Sequence, residues 1–496
     1  MKTVATRFSL GTLLLLSSIA CAQAADPAPD AVLTATRDPL VADISRQPRY
    51  TCAQNLTREF YAPSSNKEKA CVEVIASRER RKHEPRLAFW DRLHLDVAIA
   101  GDREIHSWSG APRFNDQEVG RLASNGPIGT GDFAGFVGSI FIGKAKVRYT
   151  GKHSAEGRAL YDYSYEVAAQ DSHYQVVVDP KPVVIAYSGS LTLDPKTSDI
   201  VELVVHTPEL PAQTDACQAQ SRIEFRRQEI HGRDVLLPRE TRLLWIDRFG
   251  GEMLSTTSYQ KCQEYSGHAV LRFEGAGSAP NAGSLVPSMS AAVASIPAGL
   301  TFDCRILTAI DSDTSAAGDP VEGILRSPIR AQDGSILAPR GARVHGRLLF
   351  FAKYSLGNDF FQLGIHLESV EVNGAPVTLH AVVVEQPLLP GGATDRSPDP
   401  THGVSPKTLK NLPADFGLFS FSEEHLRLPH LDSRWISVSP ASNSGQTCAS
   451  SGTSGTTPSA GDLACPTSPR LSFRPTPGFG RLISLMTRRL LPRAYL

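Results

Sequence analysis

The sequence predicts a mainly β (α+β) protein: an antiparallel curved sheet or half-barrel with a covering helix, a second smaller β-barrel-like domain, and a disordered tail. Three observations carry that expectation. Many short segments alternate apolar and polar residues, and successive side chains of a strand point to opposite faces. Turn-forming residues punctuate them, as in Asp194-Pro195-Lys196-Thr197-Ser198-Asp199, which makes the series an antiparallel meander. One segment breaks the alternation: Phe133, Phe136, Val137, Ile140 and Phe141 recur at helical spacing.

In chain order, residues 1–24 read as a secretory signal peptide. Lys2 and Arg7 precede the apolar run Leu10 to Ala20, and Ala22-Gln23-Ala24 offers small residues for cleavage. The rival reading lipidates Cys21, although Ser18 stands where such signals carry Leu. The mature chain is therefore expected in the periplasm or secreted.

Residues 28–274 are expected to form the half-barrel-like domain. A short helix, interrupted by Pro39, precedes a strand with Tyr50, Cys52, Leu56 and Phe60 on one face. Leu93, Leu95, Val97 and Ile99 alternate with Arg92, His94, Asp96 and Ala98. Ala100-Gly101-Asp102 then turns the chain into a second strand. Further strands are expected at 146–150, 158–167, 173–178, 183–193, 200–206, 222–230, 235–246, 254–265 and 269–273. The apolar helix has Thr130 or Asp132 available as a cap. Residues 78–84 are a solvated run of mixed charge.

Residues 275–293 are rich in Gly, Ala, Ser and Pro and read as a linker. Residues 294–435 are expected to form the second β domain, with strands at 301–306, 321–325, 343–351, 360–372 and 377–384. Asn373-Gly374 marks the hairpin between the last two. The tail, 436–496, is mostly too polar and Gly-rich to offset its chain entropy.

The 496 residues hold 51 Lys plus Arg against 51 Asp plus Glu. That balance supplies no electrostatic argument for nucleic acid. Gly126-Pro127-Ile128-Gly129-Thr130-Gly131 precedes the apolar helix, but no Lys-Ser/Thr pair completes a phosphate loop. Neither a G-x-S-x-G elbow nor an H-E-x-x-H helix is present. The reading therefore assigns no catalytic residue, no metal ligand and no cofactor. A Ser-His-Asp site assembled from distant strands stays open as a secreted-hydrolase alternative.

Seven cysteines follow residue 24, none in a C-x-x-C pair. Cys52, Cys71, Cys217 and Cys262 share the first domain and are disulfide candidates in an oxidising compartment. Four cysteines allow three connectivities. Cys448 and Cys465 sit near one another in the tail, leaving Cys304 as the odd, buried one. Tyr161, Tyr163 and Tyr165 line one strand face. With Phe133, Phe136, Val137, Ile140 and Phe141 they are the ligand-cavity candidates. The same stripe also suits a packed sheet face.

Two resemblances accompany these readings. Ser188-Gly-Ser-Leu-Thr-Leu-Asp-Pro-Lys-Thr-Ser-Asp-Ile-Val-Glu-Leu-Val-Val, with Arg222–Arg227 and Leu236-Leu237-Pro238, resembles periplasmic lipoprotein carriers of the LolA/LolB type. That likeness implies a half-open barrel whose helices plug an apolar cavity for acyl chains. Ile296-Pro-Ala-Gly-Leu-Thr-Phe, Leu307-Thr-Ala-Ile-Asp-Ser and Ile336-Leu-Ala-Pro-Arg-Gly-Ala-Arg-Val-His-Gly-Arg are similar to the C-terminal β domain of the TrbI family. That likeness implies assembly through protein contacts. Overall the chain resembles uncharacterised secreted proteins of bacteria.

The expected function is a non-enzymatic cell-envelope protein. Its first domain would bind an apolar ligand, a lipid or a lipoprotein, and its second would contact envelope protein partners. The alternative is an envelope scaffold or adhesion protein whose first domain is filled by its own side chains.

Overall fold

The computed structural model describes residues 27–45, 49–100, 103–111, 114, 133–172, 174–178, 181–207, 210–264, 295–355, 359–385 and 414–440. The signal segment, the Gly126–Gly131 loop, the strand expected at 269–273, the 275–293 linker and nearly all of the tail lie outside them. So do Cys448 and Cys465.

The protein is mainly β. The first half contains β1 (Tyr50–Tyr61), β2 (Leu87–Ala100), β3 (Arg103–Trp108), β4 (Lys146–Ala155), β5 (Arg158–Val167) and β6 (Gln175–Val178). It continues with β7 (Lys181–Val184), β8 (Tyr187–Asp194), β9 (Asp199–Thr207), β10 (Ala216–Ile230), β11 (Arg233–Asp247) and β12 (Glu252–Glu264). Among the described residues its α-helices are α1 (Pro29–Ser45), α2 (Cys71–Glu79) and α3 (Phe133–Val137), and α3 runs on as a π-helical turn over Gly138–Ile142. Apart from the separate β6–β7 hairpin, the strands form one antiparallel sheet in the order β4-β5-β8-β9-β10-β11-β12-β1-β2-β3. Strict alternation of buried and half-buried residues along β1 shows why: one face packs inward along its whole length.

The second half contains β13 (Thr301–Ile306), β14 (Ile310–Asp311), β15 (Pro320–Leu325), β16 (Ile329–Arg330), β17 (Ile336–Ala338) and β18 (Arg343–Tyr354). It continues with β19 (Phe360–Val372), β20 (Ala375–Thr378), β21 (Ala381–Glu385), β22 (Gly417–Phe421), β23 (Arg427–Leu428) and β24 (Leu431–Ser437). Its main ladder runs β21-β24-β13-β15-β18-β19-β22, with β20 also on β19. These strands wrap a core of their own that includes Phe302, Cys304, Phe351, Phe361, Phe419 and Trp435. Burying each such large side chain contributes about 1.5–3 kcal/mol.

The halves share an edge. β3 covers one end of β2, from Leu95 to Ala100. β18 covers the other through Asp91↔Ala352, Trp90↔Lys353 and Phe89↔Tyr354. Between them, the His94 amide donates to the Ala317 carbonyl and the Ala317 amide to the Arg92 carbonyl. The open edge that β2 would otherwise present is thereby used up. This explains why β18 is buried on both faces: Leu348 and Phe351 enter the second core, while Leu349, Phe350 and Ala352 meet the first half. Bulges at His345/Gly346 and Leu348/Phe350 supply the change of phase.

Several expected boundaries change. The first helix does not break at Pro39; α1 runs through it, because Val32 and Leu40 pack into the core on either side. Nothing was expected helical at 71–79, yet α2 forms there, with Val74 buried against Cys217 and Ile246. The span 183–193 divides into β7 and β8, and 377–384 into β20 and β21. The second half, expected to end at 435, continues in a last strand to Ser437, whose hydroxyl donates to the Pro297 carbonyl. Among the described residues, no helix is long and apolar enough to cross a membrane.

Candidate functional site

Strand pairing lays out the inner face of the first sheet as rows. One row runs Tyr163, Leu191, Leu203, Ile223, Thr241, Thr257, Leu56 and Leu93. The next runs Tyr165, Gly189, Val205, Ser221, Leu243, Ser255, Arg58, Asp91 and, in the second half, Ala352. Directly paired residues point to the same face. The face is thus aromatic at the β5 side and polar in the middle.

The aromatic end holds the residues expected to line a cavity. Tyr161, Tyr163 and Tyr165 do share a face, and so do Phe136, Val137, Ile140 and Phe141 of α3 and its π turn; all are buried in one core. Phe133 opens α3, but its side chain is outside the described residues. This core is covered by helices. Val32 and Leu40 of α1 are buried in it, with Leu33 and Val41 packed beside them. The Tyr161 hydroxyl donates to the Pro27 carbonyl at 2.9 Å and the Tyr163 hydroxyl to the Pro29 carbonyl at 2.8 Å. The Tyr165 hydroxyl donates to the Val204 carbonyl at 2.7 Å. Burial, reinforced by its neighbours Tyr149 and Tyr161, pushes the Tyr163 phenol up to about 12. Burial raises Tyr165 further. The rings of Phe136, Tyr174 and Tyr187 meet beside this cover, with centroids 5.6–5.8 Å apart.

The polar middle was not singled out from the sequence. Gln54, Thr241, Ser255 and Thr257 are 0% exposed and Tyr259 is 1% exposed. Among the described residues their side-chain polar atoms have no hydrogen-bond partner of good geometry. Thr241 and Gln54 lie beside the Tyr259 hydroxyl and moderate the upward push that burial gives it, without closing a hydrogen bond of good geometry. The signal was present in β1: its inward positions read Tyr50, Cys52, Gln54, Leu56, Arg58 and Phe60. The alternation thus carries two polar residues where core residues are expected. Arg58 is explained by Asp91, which accepts from its Nε at 2.8 Å and its Nη2 at 2.5 Å. Gln54 has no such account.

The four candidate cysteines form two bridges, Cys52–Cys262 and Cys71–Cys217. Cys304 is a free, buried thiol, pushed up to about 12 by burial. One further cluster lies in the second half, away from this face. His366, His380 and Asp415 are the group of three or more His, Cys, Asp or Glu residues, among those described, whose ligand atoms are near enough to hold a metal. Burial raises the Asp415 carboxyl, but hydrogen bonds from both histidines outweigh it and hold it well below the usual carboxylate range.

No family model matches the chain, and no curated protein does. Among solved structures it is similar to a DUF1329 family protein from Desulfovibrio piger, with 9% identity, 48% of this chain and 95% of that one covered, and a TM-score of 0.24. A putative outer membrane lipoprotein-sorting protein domain from Vibrio parahaemolyticus is similar at 8% identity, with 47% and 93% covered and a TM-score of 0.23. The Mycobacterium tuberculosis lipoprotein LppX is similar at 9% identity, with 47% and 97% covered and a TM-score of 0.18. At this level of likeness, function has to be read from the chain's own geometry.

Proposed function

We propose that this chain is a non-enzymatic cell-envelope protein whose first half binds an amphipathic, lipid-like ligand on the inner face of its sheet. One observation carries the reading. An apolar, aromatic stretch shares its cross-sheet rows with the buried Thr241, Thr257 and Ser255, and Gln54 and Tyr259, paired with each other, lie in the row beside them. A buried polar group without a partner costs about 1–3 kcal/mol. Five residues bearing such groups together fit a face that receives the polar part of a ligand while its apolar part lies towards Leu203 and Ile223. In this reading α1 is the displaceable cover, since two tyrosine hydroxyls and a few apolar side chains hold it. The two disulfides suit an exported protein, and the second half, a domain of its own beyond the 275–293 linker, would make contacts with envelope partners.

The test titrates the whole chain with a fluorescent fatty-acid probe and then displaces it with a bacterial lipid extract. Saturable, displaceable binding is expected. Thr241→Val with Thr257→Val is expected to weaken probe affinity by up to about tenfold, the worth of one or two hydrogen bonds. Absence of probe binding by the folded chain would overturn the proposal.

A second reading has an observation in its favour. Tyr161, Tyr163 and Tyr165 are at most 2% exposed and their hydroxyls are satisfied by backbone. A sheet so filled by its own residues suits a scaffold or adhesion protein with no ligand. The same titration separates the two.

A further inference from the structure

The His366, His380 and Asp415 cluster belongs to a seam in the second half. His366 lies on β19, His380 immediately before β21, and Asp415 two residues before β22. β21 pairs with β24, and β22 pairs with β19. Among the described residues no ladder joins β21 to β22. The cluster therefore ties together three segments at the place where the hydrogen-bonded wrap is interrupted.

Its geometry suits a metal. His366 Nε2 is 3.1 Å and His380 Nδ1 2.6 Å from the same Asp415 oxygen, Oδ2. One ligand atom from each residue lies within 4.8 Å of the others. Around a tetrahedral zinc ion with bonds of about 2.0–2.1 Å, ligand atoms stand about 3.3 Å apart. Asp415 Oδ2 would open by about 0.2 Å from His366 Nε2 and by about 0.7 Å from His380 Nδ1 to reach that spacing. Asp415 is 6% exposed, whereas the imidazoles keep 20% and 24% of their side-chain surface. That leaves one side of the cluster accessible. Two imidazole nitrogens and one carboxylate oxygen are a donor set for zinc and its neighbours, and a poor one for calcium or magnesium. The nearest cation by strand pairing is Arg347, opposite His366. It is directed elsewhere: its guanidinium donates to Glu368 and to the Ser109 and Gly318 carbonyls.

We infer that His366, His380 and Asp415 form a mononuclear site for a divalent transition metal of zinc's type, which clasps β21 and β22 to β19 and leaves a coordination position to solvent. Each bond is dative and no redox step occurs; the imidazole nitrogens that now hydrogen-bond Asp415 bind the metal in deprotonated form, each proton passing to the other ring nitrogen or to solvent. The bland reading is a His-Asp-His hydrogen-bond cluster that holds itself and takes no ion.

The test uses the whole chain with any polyhistidine tag removed, stripped with a chelator and titrated with zinc chloride, then with cobalt chloride. One zinc per chain, a raised Tm, and the visible absorption of a tetrahedral cobalt site are expected. His380→Ala and Asp415→Asn are each expected to weaken zinc binding at least tenfold. His345→Ala removes a histidine of the same β18–β19 ladder that bonds Glu371, and is expected to leave zinc binding unchanged. The proposal is overturned if the stripped chain takes no stoichiometric zinc, or if the cobalt spectrum is that of the hydrated ion. The cobalt measurement needs no variant, so it decides the matter even if a substitution prevents folding.

Discussion

The Tyr163 hydroxyl and the Pro29 carbonyl, 2.8 Å apart, join the middle of the aromatic stripe to the first residue of the helix that covers it. Tyr161 makes the equivalent bond to Pro27. The cover is therefore latched at its N-terminal end by two phenols that must stay protonated to donate. Tyr163 is held at about 12 in the folded chain, against the ordinary 10.0. Between these values the unfolded chain loses this proton and the folded chain keeps it. The contribution of Tyr163 is thus fully present below pH 10 and is lost as pH rises towards 12. Tyr163→Phe should remove this part of the alkaline loss, while hydrogen exchange of the α1 amides becomes faster near neutral pH. Unchanged α1 exchange would mean that the apolar contacts alone hold the helix.

Gly189 is required by the same core. A Cβ there would collide with the Val204 carbonyl and the Tyr165 hydroxyl, the two groups joined by a 2.7 Å hydrogen bond. Gly189→Ala must push apart β8 and β9 or break that bond. A loss of about 1–3 kcal/mol is expected, measured as a lower urea midpoint with an unchanged slope. Tyr165→Phe in the Gly189→Ala background should cost less than the two changes added separately, because both act on one contact.

These residues also show where sequence reading succeeds and stops. The alternation in β5 placed three tyrosines on one face because period two depends only on strand geometry. The helical spacing of Phe136, Val137, Ile140 and Phe141 marked the cover for the same kind of local reason. Gln54 was passed over because its meaning is non-local: Tyr259 and Leu95 become its neighbours only when β12 and β2 pair with β1. His366, His380 and Asp415 follow no metal-ligand spacing, since three separate segments bring them together. α2 overlaps the mixed-charge run 78–84 only at its end, and its position depends on Cys217, 146 residues away along the chain.

The disulfides bracket the sheet and should contribute substantially. Cys52–Cys262 ties β1 to β12, and Cys71–Cys217 ties α2 to β10, across sequence separations of 210 and 146 residues. Such long loops restrict the unfolded chain strongly, and removing either bridge should cost about 2–5 kcal/mol. Thermal unfolding of Cys71→Ala/Cys217→Ala beside the parent chain measures it. Cys304 should resist alkylation in the native chain, being 0% exposed, and react once urea exposes it. Peptide mapping reads that out at the single position. Native-state labelling of Cys304 would show that the second core opens locally.

Arg58 and Asp91 form the polar link by which the first sheet reaches the second half, since Asp91 also pairs with Ala352. Their side chains are 1% and 5% exposed. Desolvating two charges offsets much of their attraction, so the pair adds little over an apolar replacement, while either partner alone is costly. Asp91→Ala should therefore destabilise the chain by about 3–5 kcal/mol, leaving Arg58 buried beside Ser255 without its carboxylate. Arg58→Met with Asp91→Leu should recover most of that loss. Urea midpoints of the two single variants and the double variant give the coupling directly. If the double variant is instead as unstable as Asp91→Ala, the polar contacts of this pair, and not merely the avoidance of an unpaired charge, hold β1 and β2 in register.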